Sequence, residues 1–306
     1  MNLKNKTIAI IGGSGSLGHA LTEHLLKTDV KKIIIFSRGE VKQADMMKKY
    51  PDGRLRFLLG DVQNRNRLTR ALQKVDYCLY VAAMKRIQAA EYNTLECVGV
   101  NVDGAVNVVN ACIDSGVKKC VFTSTDKACL PSTTYGISKA MAEKIIINGN
   151  KYGKCIFSAV RYGNVTGSRG SIYHIFKEQL SNGTEVTITD NRMTRFFMLI
   201  EDSVKIIFHA LKYSADGEIY IPKLKSYRVT DFAQAMGAET FKKIPMRENE
   251  KLHEVLISEH EKYLETSLFY LLNSEKGDAF PKEQYDSNGN FMTVEELRVN
   301  LLLLEI

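Results

Sequence analysis

Residues 7–18, TIAIIGGSGSLG, decide the fold of this chain. The run Thr7–Ile11 is short, apolar and rich in β-branched residues, which predicts a buried parallel strand. Gly12, Gly15 and Gly18 follow, and an amphipathic helix begins beside the last of them. A glycine loop between a strand and a helix lets a pyrophosphate approach the backbone and the free N–H groups of the helix N-terminus. We therefore predict a dinucleotide-binding unit at the start of the chain.

Short apolar strands recur along the first half of the chain and alternate with helical segments. The predicted strands after the first cover residues 32–36, 55–59 and 77–81, a run that begins at Cys120, and residues 155–160. A helix is predicted at 101–115, between the fourth and fifth strands. Strands that alternate with helices at this spacing imply right-handed βαβ units. We therefore predict an α/β fold with a doubly wound parallel sheet of the Rossmann type.

The composition changes after Val165, and we expect a second unit there. A polar glycine loop enters a predicted helix at 172–180, and further predictions are strands at 185–189, 193–197 and 217–222 and a helix at 201–211. Beyond Val229 we predict short helices and loops, with a capped helix at Thr293. Residues 1–165 are expected to form the NADP-binding Rossmann domain with the catalytic residues. Residues 166–306 are expected to form mainly a smaller C-terminal substrate-binding lobe, with some segments returning to the sheet.

The composition is that of an ordinary globular protein. Of 306 residues, 44% are hydrophobic and 25% are charged. The net charge is +7, but the basic residues are scattered, so the charge favours an anionic substrate and not a nucleic acid. Six cysteines without C-x-x-C spacing predict buried, reduced thiols and no metal site. We find no secretory leader and no apolar run of about 20 residues, so we expect a cytoplasmic protein without a membrane partner.

The ends of the second, third and fourth predicted strands carry candidate cofactor contacts. The second strand ends in Ser37-Arg38, where an NAD site usually places an acidic residue for the ribose 2′-hydroxyl. A Ser–Arg pair with Lys42 nearby suits a 2′-phosphate, so the sequence favours NADP over NAD. Asp61 is expected at the adenine, and small residues after the fourth strand let a cofactor lie across the sheet. The predicted cofactor contacts are Gly12, Ser14, Gly15, Ser16, Leu17, Gly18, Ser37, Arg38, Lys42, Asp61, Val62, Ala82, Ala83, Tyr135, Lys139 and Val165.

Residues 120–144, CVFTSTDKACLPSTTYGISKAMAEK, carry the candidate reaction chemistry. Tyr135 and Lys139 stand four residues apart at the head of a predicted helix and share one helix face. An ammonium beside a phenol favours the phenolate, so we expect Lys139 to lower the pKa of Tyr135. Tyr135 is then a candidate base for an alcohol proton, and with bound NADP this suits hydride removal from a secondary alcohol.

Asp126 and Lys127 lie just past the strand end in the same stretch, at the same sheet edge as Tyr135. A ketone acidifies its neighbouring C–H group, so a neutral lysine, its pKa lowered by burial, is a candidate base for that proton. A protonated Asp126 is a candidate proton donor to a departing hydroxyl. The residues alone leave a second interpretation open, in which Asp126 caps a helix and Lys127 is solvated.

Five segments of the chain together resemble a known family: STDKACLPSTTYGISKAMAEK, AAMKRIQAAEYNTLECVGVNVDGAVNVV, RYGNVTGSRGSIYHIFK, ITDNRMTRFF and RENEKLHEV. They are similar to the extended short-chain dehydrogenase/reductases and, within that group, to the inverting UDP-N-acetylglucosamine 4,6-dehydratases of pseudaminic acid and related pathways. The similarity runs from Thr7 to beyond His253. The triplet 125–127, Thr-Asp-Lys, stands where 4-epimerases and retaining dehydratases carry other residues.

The resemblance implies a reaction and a role for each candidate catalytic residue. Tyr135 would take the sugar O4 proton while hydride leaves C4 for NADP, and Lys139 would hold the nicotinamide ribose. Lys127 would remove the C5 proton, and Asp126 would protonate the departing C6 hydroxyl. Hydride then returns to C6, and a proton returns to C5 on the opposite face, which gives UDP-2-acetamido-2,6-dideoxy-β-L-arabino-hex-4-ulose. The net reaction is loss of water, so the enzyme would be a hydro-lyase.

The resemblance also implies that the substrate is UDP-N-acetylglucosamine. Arg195 and Arg247 would hold its pyrophosphate, and Glu250 would hold a ribose hydroxyl of the UDP. The implied substrate contacts are Lys85, Thr123, Ser124, Asn164, Arg169, Gly170, Ser171, Arg195, Arg247 and Glu250.

Other functions on the same scaffold stay open at this point. A nucleotide-sugar 4-epimerase or a 5-retaining 4,6-dehydratase is the nearest alternative, and Asp126-Lys127 argues against both. A non-catalytic NADP-binding regulator is more remote, because it has no need of Tyr135, Lys139, Asp126 and Lys127 together. We expect a homo-oligomer, and the apolar run 301–304 fits burial against another subunit as well as burial on its own chain.

Overall fold

The computed structural model describes residues 2–272 and 280–304. Residues 273–279, 305 and 306 of the predicted 166–306 lobe therefore lie outside the described part. The strands in chain order are β1 (Thr7–Ile11), β2 (Lys32–Ser37), β3 (Leu55–Leu59), β4 (Tyr77–Tyr80), β5 (Lys119–Thr123), β6 (Ile156–Val160), β7 (Val186–Ile188), β8 (Thr194–Phe196), β9 (Ile219–Pro222), β10 (Ser226–Arg228), β11 (Phe241–Lys243), β12 (Val255–Ile257), β13 (Tyr263–Glu265), β14 (Phe269–Leu272) and β15 (Tyr285–Asp286).

Helices lie between most of these strands. They are α1 (Ser16–Leu26), α2 (Glu40–Lys49), α3 (Arg65–Ala71), α4 (Ile87–Tyr92), α5 (Thr94–Val98), α6 (Gly104–Asp114), α7 (Thr134–Asn148), α8 (Ile172–Ser181), α9 (Ile200–Tyr213), α10 (Val229–Ala235) and α11 (Val294–Leu302). A π-helical turn at Gly99–Asp103 precedes α6, and 3₁₀ turns lie at Asp126–Ala128 and Gly149–Lys151.

Nine of the described strands form one sheet in the order β13-β14-β9-β6-β5-β4-β1-β2-β3. In this spatial order the last seven strands, β9-β6-β5-β4-β1-β2-β3, run parallel to one another. Strand β14 pairs antiparallel with β9, and β13 pairs antiparallel with β14. The strand order reverses between β1 and β4, which is where open sheets of this kind bind ligands. The predicted α/β fold with a doubly wound parallel sheet is confirmed.

The sheet is buried on both faces, and β1 shows how. Ala9 and Ile11 pack in an apolar layer with residues of α3, α6 and α7. Ile8 and Ile10 point to the other face and pack with residues of α1 and α9. A strand covered on both sides must be apolar at every position, which explains the uninterrupted apolar run that predicted it.

The second half of the chain forms a smaller lobe and also completes the sheet. A separate apolar cluster joins α8, α10 and α11 through Tyr173, Phe176, Phe232, Leu297 and Leu301. The strands predicted at 185–189 and 193–197 are confirmed as β7 and β8, each shorter than predicted. The strands from β10 to β15 were not predicted. Strands β7 and β8 are as short, and they were found because the pattern that predicted each of them covers five residues. The division of function between 1–165 and 166–306 stays a prediction.

The first residues of the predicted 101–115 helix belong to a π-helical turn that the sequence did not indicate. The α-helix begins at Gly104, and Asn101 lies in the π-helical turn before it. The Asn101 amide accepts from the Met84 N–H at 2.9 Å and donates to the Met84 carbonyl at 3.0 Å. It also donates to the Ser138 hydroxyl at 2.9 Å. This buried amide ties the loop after β4 to α7.

The helix predicted at Thr293 is confirmed as α11, with a capping box between Thr293 and Glu296. Leu297 and Leu301 bury this helix against its own chain, whereas Leu302 and Leu303 are exposed. The predicted homo-oligomer stays a prediction. Across residues 2–272 and 280–304, no helix has both the length and the apolar character needed to cross a membrane.

All six cysteines are buried free thiols. The sulfur atoms of Cys78, Cys112 and Cys120 lie within 4.8 Å of one another inside the apolar layer beside α6. Cys78 and Cys120 are register partners on β4 and β5, and Cys112 comes from α6. The cluster arises from sheet pairing, so the sequence spacing gave no sign of it.

Candidate functional site

A cleft of about 1340 Å³ opens where the parallel strands end and the smaller lobe begins. Its walls include the loops after β1 to β6 and, from the lobe, segments within 168–172 and 244–254. Every residue predicted from the sequence to act in catalysis, to bind the cofactor or to bind the substrate lines this cleft. The structure therefore brings the predicted residues together, and the role of each one stays a prediction.

The glycine loop after β1 is shaped for a close backbone approach. Gly12 has a φ of +91°, and a Cβ at this position would lie 2.6 Å from the Ala82 backbone. A Cβ on Gly18 would lie 2.1 Å from the Gly13 carbonyl oxygen. Helix α1 begins at Ser16 without a side-chain cap, so its first N–H groups remain available to an anion. These features fit a dinucleotide diphosphate.

The end of β2 carries the predicted 2′-phosphate contacts, and they already have protein partners. The Ser37 hydroxyl accepts from the Gln43 amide at 2.9 Å. The Arg38 guanidinium lies 3.4 Å from the Asp61 carboxylate and 3.6 Å from that of Glu96. The sequence reasoning treated Arg38 and Asp61 as separate contacts, whereas the structure pairs them.

Helix α7 places two candidate catalytic side chains in the cleft. Its N-terminus is capped by Thr133, whose hydroxyl accepts from the Gly136 N–H at 3.1 Å. Lys139 is buried, and its ammonium donates to the Thr123 carbonyl at 2.6 Å and lies 3.9 Å from the centre of the Phe122 ring. Burial lowers the pKa of Lys139 to about 7.

Burial raises the pKa of Tyr135 to about 12, and the cation that opposes this shift is Lys127. The prediction that Lys139 lowers the Tyr135 pKa is therefore wrong for this structure. The physical reason is that the Lys139 ammonium is directed at the Thr123 carbonyl at the end of β5. A hydrogen bond with the Thr125 side chain also favours the phenolate.

Asp126 lies in the 3₁₀ turn directly after β5 and is 1% exposed. One carboxylate oxygen, Oδ1, accepts from the Thr125 hydroxyl at 2.9 Å and from the Lys127 ammonium at 3.1 Å. Burial raises the pKa of Asp126, which favours a protonated carboxyl. Asp126 is not a helix cap, because Thr125 is the residue that caps this turn.

Lys127 is not solvated either, because its ammonium lies between two carboxylates. It is 3.1 Å from Asp126 Oδ1 and 3.0 Å from Glu254 Oε1. Burial alone lowers the pKa of Lys127, but the charges of Asp126 and Glu254 outweigh it and raise the pKa above its ordinary value. The prediction of a neutral lysine is therefore wrong for this resting structure. Sequence reasoning missed Glu254, whose one signal was its place in the RENEKLHEV segment.

The two arginines that are predicted to bind the diphosphate differ in solvent exposure. Arg195 is buried, and its guanidinium donates to the carbonyls of Thr194 at 2.7 Å and Leu252 at 3.1 Å. Arg247 is exposed, and its backbone N–H donates to the Glu250 carboxylate at 3.2 Å. Arg247 is thus the more accessible of the two predicted cations.

Several buried polar atoms in the cleft lack a hydrogen-bond partner. Buried polar side chains in proteins nearly always have one, so such atoms in a cleft are places where a water, an ion or a ligand can complete the network. Asp126 Oδ2 and Glu254 Oε2 belong to the charged group described above. The others that line the cleft are Ser124 Oγ, Asn164 Oδ1 and Ser171 Oγ, all in predicted substrate contacts.

Comparisons with known proteins agree with this architecture. Residues 8–273 match the family described as polysaccharide biosynthesis protein. The chain is 44% identical to UDP-N-acetylglucosamine 4,6-dehydratase (inverting) of Campylobacter jejuni over 85% of this chain and 79% of that relative. It is 33% identical to UDP-glucose 4-epimerase of Rickettsia akari over 98% and 96% of the two chains. Pen from Bacillus thuringiensis, a solved structure, superposes with a TM-score of 0.93 at 32% identity over 99% of both chains. The chain therefore belongs to the polysaccharide biosynthesis protein family, within the extended short-chain dehydrogenase/reductases.

Proposed function

We propose that this protein is an NADP-dependent UDP-N-acetylglucosamine 4,6-dehydratase of the 5-inverting type, a hydro-lyase. The observation that carries the proposal is the ion pair between partly buried Lys127 and buried Asp126, which lies in one cleft with Tyr135 and the dinucleotide loop. The 44% identity to the Campylobacter jejuni enzyme of that name supports the same reaction.

The first step is oxidation at C4 of the sugar. Bound NADP supplies a reversible hydride acceptor at this position. Tyr135 accepts the O4 proton, and the nearby Lys127 charge and the Thr125 hydroxyl stabilise the phenolate that this requires. Lys139, held by the Thr123 carbonyl, is placed to orient the nicotinamide ribose.

The second step is loss of water across C5 and C6. Lys127, whose side chain is 20% exposed to the cleft, first gives its ammonium proton to water. The neutral amine then takes the C5 proton, which the new ketone at C4 makes acidic. Asp126, protonated because burial raises its pKa, delivers its proton to the departing C6 hydroxyl. Hydride return to C6 and reprotonation of C5 on the opposite face then complete an inverting reaction with no net redox change.

The smaller lobe is proposed to hold the UDP portion of the substrate. Arg247 is exposed at the cleft wall and Arg195 lies deeper, so together they span a path for a diphosphate. The unpartnered Ser124, Asn164 and Ser171 atoms offer hydrogen bonds to the sugar. Six free thiols fit a reducing compartment, and we propose that the enzyme acts in the cytoplasm.

A 4-epimerase is the second candidate, because relatives of that name match nearly the whole chain. An epimerase needs Tyr135, Lys139 and the dinucleotide, but it removes no proton from C5 and expels no hydroxyl. A buried carboxyl with a raised pKa beside a lysine serves no step of that reaction. We therefore rank the dehydratase first.

Proton NMR of the purified protein with UDP-N-acetylglucosamine in D₂O, with no cofactor added, tests the proposal. A 4-keto-6-deoxy product of arabino configuration with deuterium at C5 supports the inverting dehydratase and shows that the cofactor co-purifies. A xylo product means a retaining dehydratase, and UDP-N-acetylgalactosamine means an epimerase. An unchanged spectrum, even after NADP is added, overturns the assignment of this substrate.

A further inference from the structure

We propose that Glu254 is a positioning residue that fixes the Lys127 ammonium and sets the pH range in which Lys127 acts on C5. This inference rests on the proposed function, in which Lys127 removes the C5 proton. Glu254 is outside every predicted set of catalytic, cofactor-binding and substrate-binding residues. It lines the same cleft and is 3% exposed.

The geometry leaves Lys127 little freedom. Its side chain is 20% exposed, and Nζ lies 3.1 Å from Asp126 Oδ1 and 3.0 Å from Glu254 Oε1. Asp126 is the neighbouring residue on the same turn, whereas Glu254 reaches the ammonium from the smaller lobe. Two contacts from different directions hold one atom better than either contact alone, so Glu254 determines where the amine points.

Glu254 is itself held by rigid backbone. Its N–H donates to the Ser287 hydroxyl at 2.9 Å, and its carbonyl accepts from the Ser287 N–H at 2.8 Å. Strand β12 begins at the next residue and pairs with β15, which ends just before Ser287. The Ser287 hydroxyl also contacts the Thr194 hydroxyl at 2.7 Å. Ser287 therefore connects the backbone of Glu254 to Thr194, the residue before Arg195.

Glu254 is shared between two cations with different predicted tasks. Oε1 lies 3.0 Å from Lys127 Nζ and 3.7 Å from Arg195 Nε. Lys127 belongs to the reaction centre, and Arg195 belongs to the proposed diphosphate site. One carboxylate thus links the position of the reacting amine to the position of the UDP portion.

The charge balance shows why Glu254 matters for the protonation of Lys127. If Asp126 is protonated, as its proposed role requires, Glu254 is the remaining carboxylate in contact with the ammonium. Removing the Glu254 charge then leaves a buried ammonium without a counter-ion, which favours the neutral amine. The titratable and charged groups that act on this pair are Asp126, Arg195, Tyr135, Tyr227 and Lys251.

The test compares Glu254→Gln with the wild-type protein by two readouts. The first is the titration of the Lys127 ε-carbon in protein labelled with ¹³C-lysine, with the resonance assigned by its loss in Lys127→Met. This readout needs no turnover, so it stands even if the proposed reaction is wrong. We expect the wild-type Lys127 resonance to stay that of an ammonium up to the highest pH at which the protein remains folded, and the Glu254→Gln resonance to begin titrating at a lower pH. An unchanged titration would overturn the proposal.

The second readout separates two steps of the reaction in single turnovers. Reduced-nicotinamide absorbance reports C4 oxidation, and deuterium uptake reports C5 proton removal. Glu254→Gln should slow C5 exchange by about tenfold or more at the wild-type optimum while C4 oxidation changes by less than about threefold. Its exchange rate should also reach a plateau at lower pH. Equal loss of both steps would mean a merely structural role.

Two further variants serve as controls. Glu254→Asp keeps the charge, so the pH at which its C5 exchange rate reaches a plateau should lie closer to that of the wild type than to that of Glu254→Gln. Glu261→Gln removes a partly buried carboxylate that pairs with Arg161 at 2.8 Å and makes no ion pair with Lys127. It should lower the free energy of unfolding without moving the Lys127 titration. A shift as large as that of Glu254→Gln would also contradict the proposal.

Discussion

The Arg38 guanidinium and the Asp61 carboxylate lie 3.4 Å apart across the ends of β2 and β3. The pair is partly exposed, and ion pairs of this kind contribute only about 0–1 kcal/mol. A 2′-phosphate carries more charge than a carboxylate and can take Arg38 from this partner. Arg38 is therefore the residue whose replacement tests the predicted preference for NADP over NAD.

Replacement of Arg38 tests the cofactor prediction. Arg38→Ala should weaken NADP binding by about 10- to 100-fold and NAD binding by less than about threefold, because only NADP carries the 2′-phosphate. Isothermal titration calorimetry with both dinucleotides measures the two effects. Arg65→Ala is a matched control, because Arg65 pairs with Asp114 on the surface. Equal losses for both dinucleotides, or tighter NAD binding by the wild type, would contradict the preference.

Replacement of Lys127 tests the assignment of the C5 base. Lys127→Ala should still oxidise C4, because Tyr135 and the dinucleotide loop remain, but it should lose water at least about 100-fold more slowly. Rapid mixing with detection of reduced nicotinamide, followed by product NMR, separates the two steps. Lys144→Ala on the exposed face of α7 is the control and should behave like the wild type. Wild-type turnover by Lys127→Ala would show that another group is the base.

Lys139 makes a prediction about stability and pH. Its folded-state pKa is about 7, whereas a lysine in an unfolded chain has a pKa of about 10.4. Between these values the unfolded state binds more protons, so stability contributed by this group rises with pH. Below about pH 7 the fold carries the full cost of a buried ammonium. Lys139→Met should therefore raise the free energy of unfolding by about 1–3 kcal/mol near pH 6.5, and the gain should shrink toward about pH 10.

Urea unfolding at both pH values measures this difference. Lys144→Met is the matched control, since Lys144 is exposed on the same helix and should show no pH-dependent change. A gain from Lys139→Met that is the same at both pH values would contradict burial of the charge. We also expect Lys139→Met to lose activity, so the same substitution should make the protein more stable and inactive.

The glycine loop makes a prediction about packing. A Cβ on Gly18 would meet the Gly13 carbonyl oxygen at 2.1 Å, so the glycine loop and α1 must move apart to admit it. Gly18→Ala should lower the free energy of unfolding by about 2–4 kcal/mol and weaken dinucleotide binding. Thermal unfolding with and without NADP measures both. Gly53→Ala is the control, because nothing lies within 4 Å of its added Cβ. A stable Gly18→Ala protein with normal binding would contradict this geometry.

The fold was predictable where the information is local. Strand β1, its glycine loop and α1 occupy consecutive residues, and their apolar run and glycine spacing follow from burial on both sheet faces. The same reasoning found β2 to β6 and the edge at which their loops meet. It did not find β10 to β15, although β7 and β8, which are as short, were found from patterns of five residues.

The sequence predicted which residues line the candidate site, but it did not predict the protonation state of Lys127. The positions of Tyr135, Lys139, Asp126 and Lys127 follow from the strand end and the start of α7. The charge on Lys127 depends on the adjacent Asp126 and also on Glu254, which is 127 residues away in sequence and reaches Lys127 only through the folded lobe. The contribution of Glu254 is a long-range contact, and no local pattern encodes it.

The pairing of β6 with β9 and of β9 with β14 has a consequence for biosynthesis. When β6 has left the ribosome, the edge that will pair with β9 stays unpaired until β9 emerges about 60 residues later. The free edge of β9 then stays unpaired until β14 emerges. At about 5–20 residues per second, translation leaves the growing sheet with an open edge for several seconds. An open edge is a site for pairing with other chains, so the nascent protein is exposed to such pairing during this interval. A gene truncated between β6 and β9 would encode a permanently open edge, and its product should aggregate.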